Sequence, residues 1–335
     1  MRTLKKISLL AISLMLTLAS SLMFIGCGKD DNTIRLNEVT HSIFYAPLYV
    51  AMNMGFFEDE GLKVTLESAT GSDASMTALV SGSADIVLIG PEQAVYTENV
   101  KDRPVIFGQL TQTDGSFFVG DKDSSTFTLE DLKGKTIIGG RQGGLPAMTL
   151  EYIIKEAGLT IGTGANEVNL RTDVAFPMIA SEFITSGAEY CTLFEPNATN
   201  LEKAGNGYVL ESVATYSGQL PYTCFTAKTS YLEKHSDKAE KFLKAVKRGY
   251  AYLNEESRTA AAEALAPSFA GMTIEELEIA VEEYLSINAW SSDMILSEAS
   301  FDRLIDVLNG ASSTTYSPDY EVLVDNSFAQ KLLEE

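Results

Sequence analysis

Apolar positions along the chain switch repeatedly between two periods. Ile34-Arg35-Leu36 has the look of a strand, and Leu48, Ala51, Met52 and Gly55 follow at helical spacing behind Pro47. Proline suits a first helical position because it has no amide proton to leave unpaired there, and Gly55 is expected to stop this helix. Val64-Thr65-Leu66-Glu67 alternates as a half-buried strand does. Gly71-Ser72-Asp73 is expected to cap a second helix that turns Met76, Leu79 and Val80 inward. Ala84 to Ile89 is then a continuous apolar run, the pattern of a parallel strand covered on both faces.

The middle of the chain repeats this order. Lys135 to Ile138 is a strand, and Pro146 opens a helix whose Leu150, Ile153, Ile154 and Ala157 share a face. Val168-Asn169-Leu170 is a second strand, and a helix around Met178–Ile184 leads into a third, Tyr190–Phe194. The segment "ALVSGSADIVLIGPEQA" aligns with "EFITSGAEYCTLFEPNA", so that Ser81-Gly82 falls on Ser186-Gly187, Leu88 on Leu193 and Pro91 on Pro196. Repetition of whole supersecondary units reports architecture. It implies two α/β lobes, each a mostly parallel sheet flanked by helices. The expected boundaries are 34–118 for the first lobe, 119–224 for the second, and 225–335 for a helical return to the first. An outgoing strand is expected at Phe117-Phe118-Val119 and a returning one at Pro221–Phe225. In the return, Phe242, Val246, Gly249 and Leu253 share a helix face, and Thr273-Ile274-Glu275-Glu276 spells a capping box.

The N-terminus changes the picture. Arg2, Lys5 and Lys6 precede an apolar run from Ile7 to Ile25 that ends in Phe24-Ile25-Gly26-Cys27. A basic n-region before an apolar h-region is a secretory signal, here expected over 1–26, and Gly26-Cys27 resembles the lipobox of bacterial lipoproteins. A retained membrane anchor is the rival reading, since the run could just span a bilayer. The polar segment that follows favours a lipidated Cys27 on a tether at 27–33. The chain is then extracytoplasmic, bound to the membrane by its lipid alone. With 46 acidic against 25 basic residues and a net charge of −21, it repels nucleic acid and anionic lipid alike. Apart from Cys27 only Cys191 and Cys224 remain, and a disulfide and two buried thiols are equally open.

Catalytic motifs are scarce. Gly134-Lys135-Thr136 mimics the end of a P-loop, but the earlier glycine it needs is Leu129, and Gly139 to Gly144 does not spell a dinucleotide-binding loop. The chain has two histidines, His41 and His235, which excludes a His-rich metal site, and neither sits in a metal motif. A Cys–His pair would require His41 beside Cys191 or Cys224. Strand ends offer better candidates, because in open parallel sheets ligands settle outside the carboxyl ends, where helix amides are free. The segments expected there contain His41, Ser42 and Tyr45; Gly71, Ser72 and Asp73; Pro91 and Glu92; Arg141, Gln142, Gly143 and Gly144; and Glu195, joined at the crossings by Thr113, Asp114 and Tyr222. Each has a bland alternative: turn glycines, an N-cap at Ser72-Asp73, helix-capping acids at Glu92 and Glu195, a surface pair for Arg141, and core packing for Phe44.

"YAPLYVAMNMGFFEDEGL", "LVSGSADIVLIGPE", "DLKGKTIIGGRQGGLPAMTLEYIIKEAGL" and "EYCTLFEPNATNLEKAGNGYVL" together resemble the ABC-transporter solute-binding proteins of the nitrate/sulfonate/taurine and thiamine-pyrimidine-precursor branch. The resemblance implies a type II periplasmic-binding-protein fold, in which two lobes close on a small molecule and present it to a membrane permease. It implies a monomeric binder with no cofactor and no turnover. In that family the first strand-to-helix loop faces the cleft, so Tyr45 is expected to stack on a planar ligand and to be exposed without one. Arg141 with the Gly143–Leu145 amides suits a sulfonate or nitrate. Two acids argue for an aminopyrimidine instead, since a desolvated anion beside carboxylates is costly, and Glu195 is expected to accept from its amino group. A pyrimidine-synthesising enzyme sharing the fold is the alternative of a different class.

Overall fold

The computed structural model describes residues 32–334. The expected signal segment, Cys27 and most of the tether therefore lie outside the described residues. Among those described, the strands are β1 (Thr33–Glu38), β2 (Lys63–Ser68), β3 (Ile86–Ile89), β4 (Pro104–Thr111), β5 (Ser116–Gly120), β6 (Thr136–Ile138), β7 (Asn169–Arg171), β8 (Tyr190–Phe194), β9 (Tyr208–Ser212) and β10 (Thr223–Lys228). They form two sheets, ordered β2-β1-β3-β10-β4 and β7-β6-β8-β5-β9. The orders correspond, as the repeat requires.

In the first sheet β1 runs parallel to β3, with Leu36 opposite Ile86, while β10 enters antiparallel with Phe225 opposite Leu88. In the second, β6 is parallel to β7 and β8, and β5 enters antiparallel with Phe118 opposite Thr192. Each sheet thus takes one strand delivered by a crossing from the other half. The continuous apolar run of β3 is completely buried, as a central strand should be. Both crossings fall a few residues from their expected places: 116–118 belong to the second sheet, and Thr223-Cys224 already lie in the first. Phe117 and Thr223 sit at strand ends, where hydrophobicity alone does not say which sheet receives them.

Helices cover both sheets. Pro47 does open the helix Ala46–Asn53, which packs against the long helix Ser236–Glu255 through Phe242, Val246, Gly249 and Leu253, all buried. At Gly249 a Cβ would lie 2.0 Å from the Pro47 carbonyl oxygen, so the absence of a side chain sets how closely these helices approach. The capping box is present: Glu276 N donates to Thr273 Oγ1, and Glu276 Oε2 accepts from Thr273 N at 2.7 Å. Two expected inward positions are wrong. Val80 is 42% exposed, and Ala157 at the end of its helix is exposed. Cys191 on β8 and Cys224 on β10 are buried free thiols in different sheets.

The lobes also touch away from the crossings. Helix Leu145–Glu156 of the second lobe lies along Glu298–Ala311 of the return. There Arg303 Nη1 donates to the Tyr152 hydroxyl at 3.1 Å and Lys155 Nζ to the Gly310 carbonyl at 2.7 Å.

Candidate ligand-binding site

Loops leaving the carboxyl ends of β1, β2 and β3 face loops leaving β6, β7 and β8 across a cavity of about 660 Å3. Parallel strands bring helix N-termini, with their unpaired amides, to that end of each sheet.

The loop after β1 forms much of the first wall. Ser42 Oγ accepts from Phe44 N at 3.2 Å and starts a single turn, Ile43–Tyr45, that aims two aromatic rings. Trp290 Nε1, the chain's one indole, donates to the Phe44 carbonyl at 2.9 Å and fixes this turn from behind. The Phe44 ring sits 5.4 Å from Phe194, 5.8 Å from Tyr222 and 5.1 Å from Tyr284, in the edge and tilted arrangements that aromatic quadrupoles favour. Tyr45 lines the cavity but is only 3% exposed. The expectation of an exposed ring is therefore corrected: this cluster holds Tyr45 in place, and burial pushes its phenol pKa up.

Gly71, Ser72 and Asp73 also line the cavity. The helix Ser72–Ser81 takes no side-chain cap at its start, so Ser72 and Asp73 are not spent on capping. Glu92 is the most unusual group. It is fully buried, its Oε2 has no partner of good hydrogen-bond geometry among the described residues, and Oε1 receives a long 3.4 Å contact from Gln93 Nε2, with Ser72 and its own amide also near the carboxyl. Its carboxyl folds back over Gly90, where a Cβ would lie 2.0 Å from Oε2. Burial pushes its pKa up to about 7, against the pull of its own amide, Gln93 and Ser72.

The second lobe supplies Arg141, Gln142, Gly143, Gly144, Leu145 and Pro146, with Phe176-Pro177 and Phe194 beside them. Helix Leu145–Glu156 begins behind Gly144, which offers no capping side chain. Arg141 Nη2 lies 3.2 Å from Asp73 Oδ1, an exposed pair that joins the two lobes at the cavity. Tyr222, at the returning crossing, completes the wall.

Five expected residues do not reach the cavity. Glu195 Oε1 accepts from Thr199 Oγ1 at 2.9 Å and Oε2 from Thr199 N at 3.2 Å, so this acid caps the following helix. Glu92 follows its proline whereas Glu195 precedes the corresponding one, and that offset sends the two carboxyls to different places. Thr113 and Asp114 are buried in the outgoing crossing, where Asp114 Oδ1 accepts from Ser116 N at 2.8 Å and Ser116 Oγ at 2.6 Å. Burial nevertheless pushes Asp114 up to about 6. Pro91 is buried at the cap of its helix. His41 braces the loop instead: Nδ1 is 2.9 Å from Glu38 Oε1 and Nε2 is 2.8 Å from the Ser268 carbonyl. Two acceptors on one ring favour the imidazolium, and the His41 pKa is raised accordingly, the Glu38 bond first. Buried Glu38 also accepts from Tyr49 and, at 2.5 Å, from Ser68 Oγ, so one carboxylate ties together two cavity loops.

Sequence reasoning missed Phe176-Pro177. The repeat spacing that aligns Ser81 with Ser186 also aligns Gly71-Ser72 with Phe176-Pro177, and that signal could have found them.

A cavity between two such sheets, at the carboxyl ends of their parallel strands, defines a two-lobed α/β protein of the type II periplasmic-binding-protein fold. The pattern of the family described as NMT1/THI5 like matches residues 43–260, and the chain belongs to that family. YtlA of Bacillus subtilis (strain 168), named as a binding protein, is 37% identical over 304 residues, 90% of each chain. The ligand-binding component of an ABC-type import system from Staphylococcus aureus, solved with zinc bound, gives a TM-score of 0.71 at 15% identity, over 90% of this chain and 99% of its own. The 4-amino-5-hydroxymethyl-2-methylpyrimidine phosphate synthase of Aspergillus parasiticus is 26% identical over 234 residues, 65% of each chain.

Proposed function

We propose that this chain is the extracytoplasmic solute-binding subunit of an ABC importer, and that it captures a flat nitrogen heterocycle of the aminopyrimidine kind. The observation that carries the ligand class is Glu92, a buried carboxyl with an unpartnered oxygen in an aromatic-walled cavity. A carboxyl left without partners costs free energy unless something else satisfies it. An amino group beside a ring nitrogen does so, because it can donate to the carboxylate or pair at two points with the neutral acid. A group whose pKa lies near 7 can adopt either form. Tyr45, Phe44 and Tyr222 supply faces or edges for the ring. The name of the Aspergillus relative supports the same chemistry, and the Staphylococcus structure supports the import role. Anchoring through a lipidated Cys27 would keep the binder close to its permease.

Isothermal calorimetry of the mature chain with 4-amino-5-hydroxymethyl-2-methylpyrimidine tests the reading. Binding that weakens about ten- to a hundredfold in Glu92→Gln is expected, since losing a hydrogen bond to a charged group costs roughly 1.5–3 kcal/mol. Failure of the probe to bind, together with tight alkanesulfonate binding that survives Glu92→Gln, overturns the heterocycle in favour of an anion held by Arg141.

A further inference from the structure

Glu38 ends β1 and is fully buried, yet it does not line the cavity. It is satisfied without a ligand. Its carboxylate accepts from the Tyr49 hydroxyl, from Ser68 Oγ at 2.5 Å and from His41 Nδ1 at 2.9 Å, while its carbonyl accepts from Ala69 N at 2.8 Å. These donors belong to the two segments that carry much of the first wall. Thr40, Ser42 and Tyr45 surround His41 in the loop after β1, and Ala69 and Thr70 follow Ser68 after β2. The Tyr49 hydroxyl also accepts from Ser42 N at 3.3 Å. A buried carboxylate is costly unless all its donors stay in place, so its bonds fix the spacing of the two loops.

His41 extends the arrangement to a third segment. Its ring stands between Tyr49 and Phe269, with centroids 4.8 and 4.7 Å away, and Nε2 is 2.8 Å from the Ser268 carbonyl. Nδ1 faces a carboxylate and Nε2 a carbonyl, and only the imidazolium donates to both. A neutral ring keeps one donor and turns a lone pair toward the other acceptor. Glu38 is the charged group that faces the ring, and the Tyr49 hydroxyl, 3.0 Å from Nδ1, is the second titratable one.

We propose that Glu38 and His41 are positioning residues of the binding site: they touch no ligand but clamp the two loops of its first wall, and clamp them fully only while His41 carries its proton. The inference rests on the cavity being the ligand site, whichever ligand it takes. The Glu38 bond raises the His41 pKa above 6.5. The bracing is therefore complete below 6.5 and is lost as the pH rises through the raised value.

His41 is one of two histidines, so ring-proton NMR follows it directly, its signal being the one lost in His41→Gln. Its midpoint should lie above 6.5 and fall in Glu38→Gln. At pH 5.5, His41→Gln should quicken amide exchange at both Tyr45 and Ala69, whose bonds lie within the clamped loops. Calorimetry with 4-amino-5-hydroxymethyl-2-methylpyrimidine should show His41→Gln binding about three- to tenfold more weakly than wild type at pH 5.5, the worth of one hydrogen bond. At pH 9 the two should bind alike. Taking the ratio at each pH cancels the titration of Glu92 and of the probe. A wild-type midpoint at or below 6.5, or exchange quickened at Tyr45 alone, overturns the clamp. An affinity ratio that is the same at both pH values overturns its role in binding. A probe that fails to bind wild type counts against the heterocycle and leaves NMR and exchange to decide the clamp. The His41 side chain is 41% exposed, so His41→Gln is expected to fold, and none of its measurements depends on Glu38→Gln folding.

Discussion

At Glu92 local sequence, burial and chemistry meet. Gly90 leaves the space that the carboxyl occupies, Pro91 opens the turn that places it, and burial holds its pKa up near 7 instead of the ordinary 4.5. The raised value fixes the sign of a pH effect. Between about 4.5 and 7 the folded chain binds more protons than the unfolded one, so the stability Glu92 contributes is complete below 4.5 and is lost as the pH rises through 7. Asp114, pushed up to about 6, acts in the same direction. Thermal melts from pH 4.5 to 8 should therefore fall less steeply in Glu92→Gln than in the wild type, by on the order of 3 kcal/mol across the range. Parallel curves would refute the assignment. Gly90→Ala should displace the carboxyl and cost at least tenfold in aminopyrimidine affinity, with a smaller loss of thermal stability, and calorimetry on the folded variant separates the two. At this scale the sequence was a poor guide. Glu92 and Glu195 flank matching prolines and look alike on paper, yet one reaches the cavity and the other caps a helix onto Thr199. A shift from one side of a proline to the other is invisible to charge and periodicity.

Elements were far more legible, because period and punctuation carry them. The strand runs, the Pro47 and Pro146 helix starts and the Thr273 capping box all appear where patterning puts them. Errors came at helix ends and edges. Val80 and Ala157 have apolar side chains at plausible spacing, but nothing packs over them to bury them. The resemblance places the Tyr45 loop at the cleft and so implies an exposed ring, but it carries no information on what packs around that ring. The rings of Phe44, Phe194, Tyr222 and Tyr284 come from four distant segments, and only tertiary structure assembles them. Gly249 gives a test at the element scale. Alanine in an exposed helix position would normally gain up to about 1 kcal/mol over glycine. Here its Cβ would meet backbone oxygen at 2.0 Å, which no side-chain rotation relieves. Gly249→Ala should instead destabilise the fold by roughly 1–3 kcal/mol in urea unfolding, the usual cost of overpacking. A stabilised variant would show that the two helices separate freely.

For the whole molecule the repeat and two crossings imply motion between the lobes. Tyr222 N donates to the Thr111 carbonyl at 3.1 Å, and Thr111 Oγ1 is 2.6 Å from Thr223 Oγ1, so the two crossings run hydrogen-bonded side by side. At the cavity the lobes meet through Arg141 and Asp73, a pair more than half exposed on both sides. Such a pair is worth only about 0–1 kcal/mol, enough to bias a balanced hinge and too little to hold it shut alone. Ligand touching both walls is expected to add closing free energy to this pair and to the Arg303–Tyr152 and Lys155–Gly310 contacts between the lobes. Small-angle scattering of the mature chain should show a smaller radius of gyration when the aminopyrimidine is added at saturating concentration. Asp73→Ala should shift the ligand-free chain toward the more open form, while saturating aminopyrimidine still closes it. Trp290, bonded to the first cavity loop, gives a second readout, since its emission should respond to the same titration with the same midpoint. Scattering curves that superpose with and without bound aminopyrimidine, in a sample where calorimetry shows full occupancy, would mean that the lobes are rigid and that the cavity fills without closure.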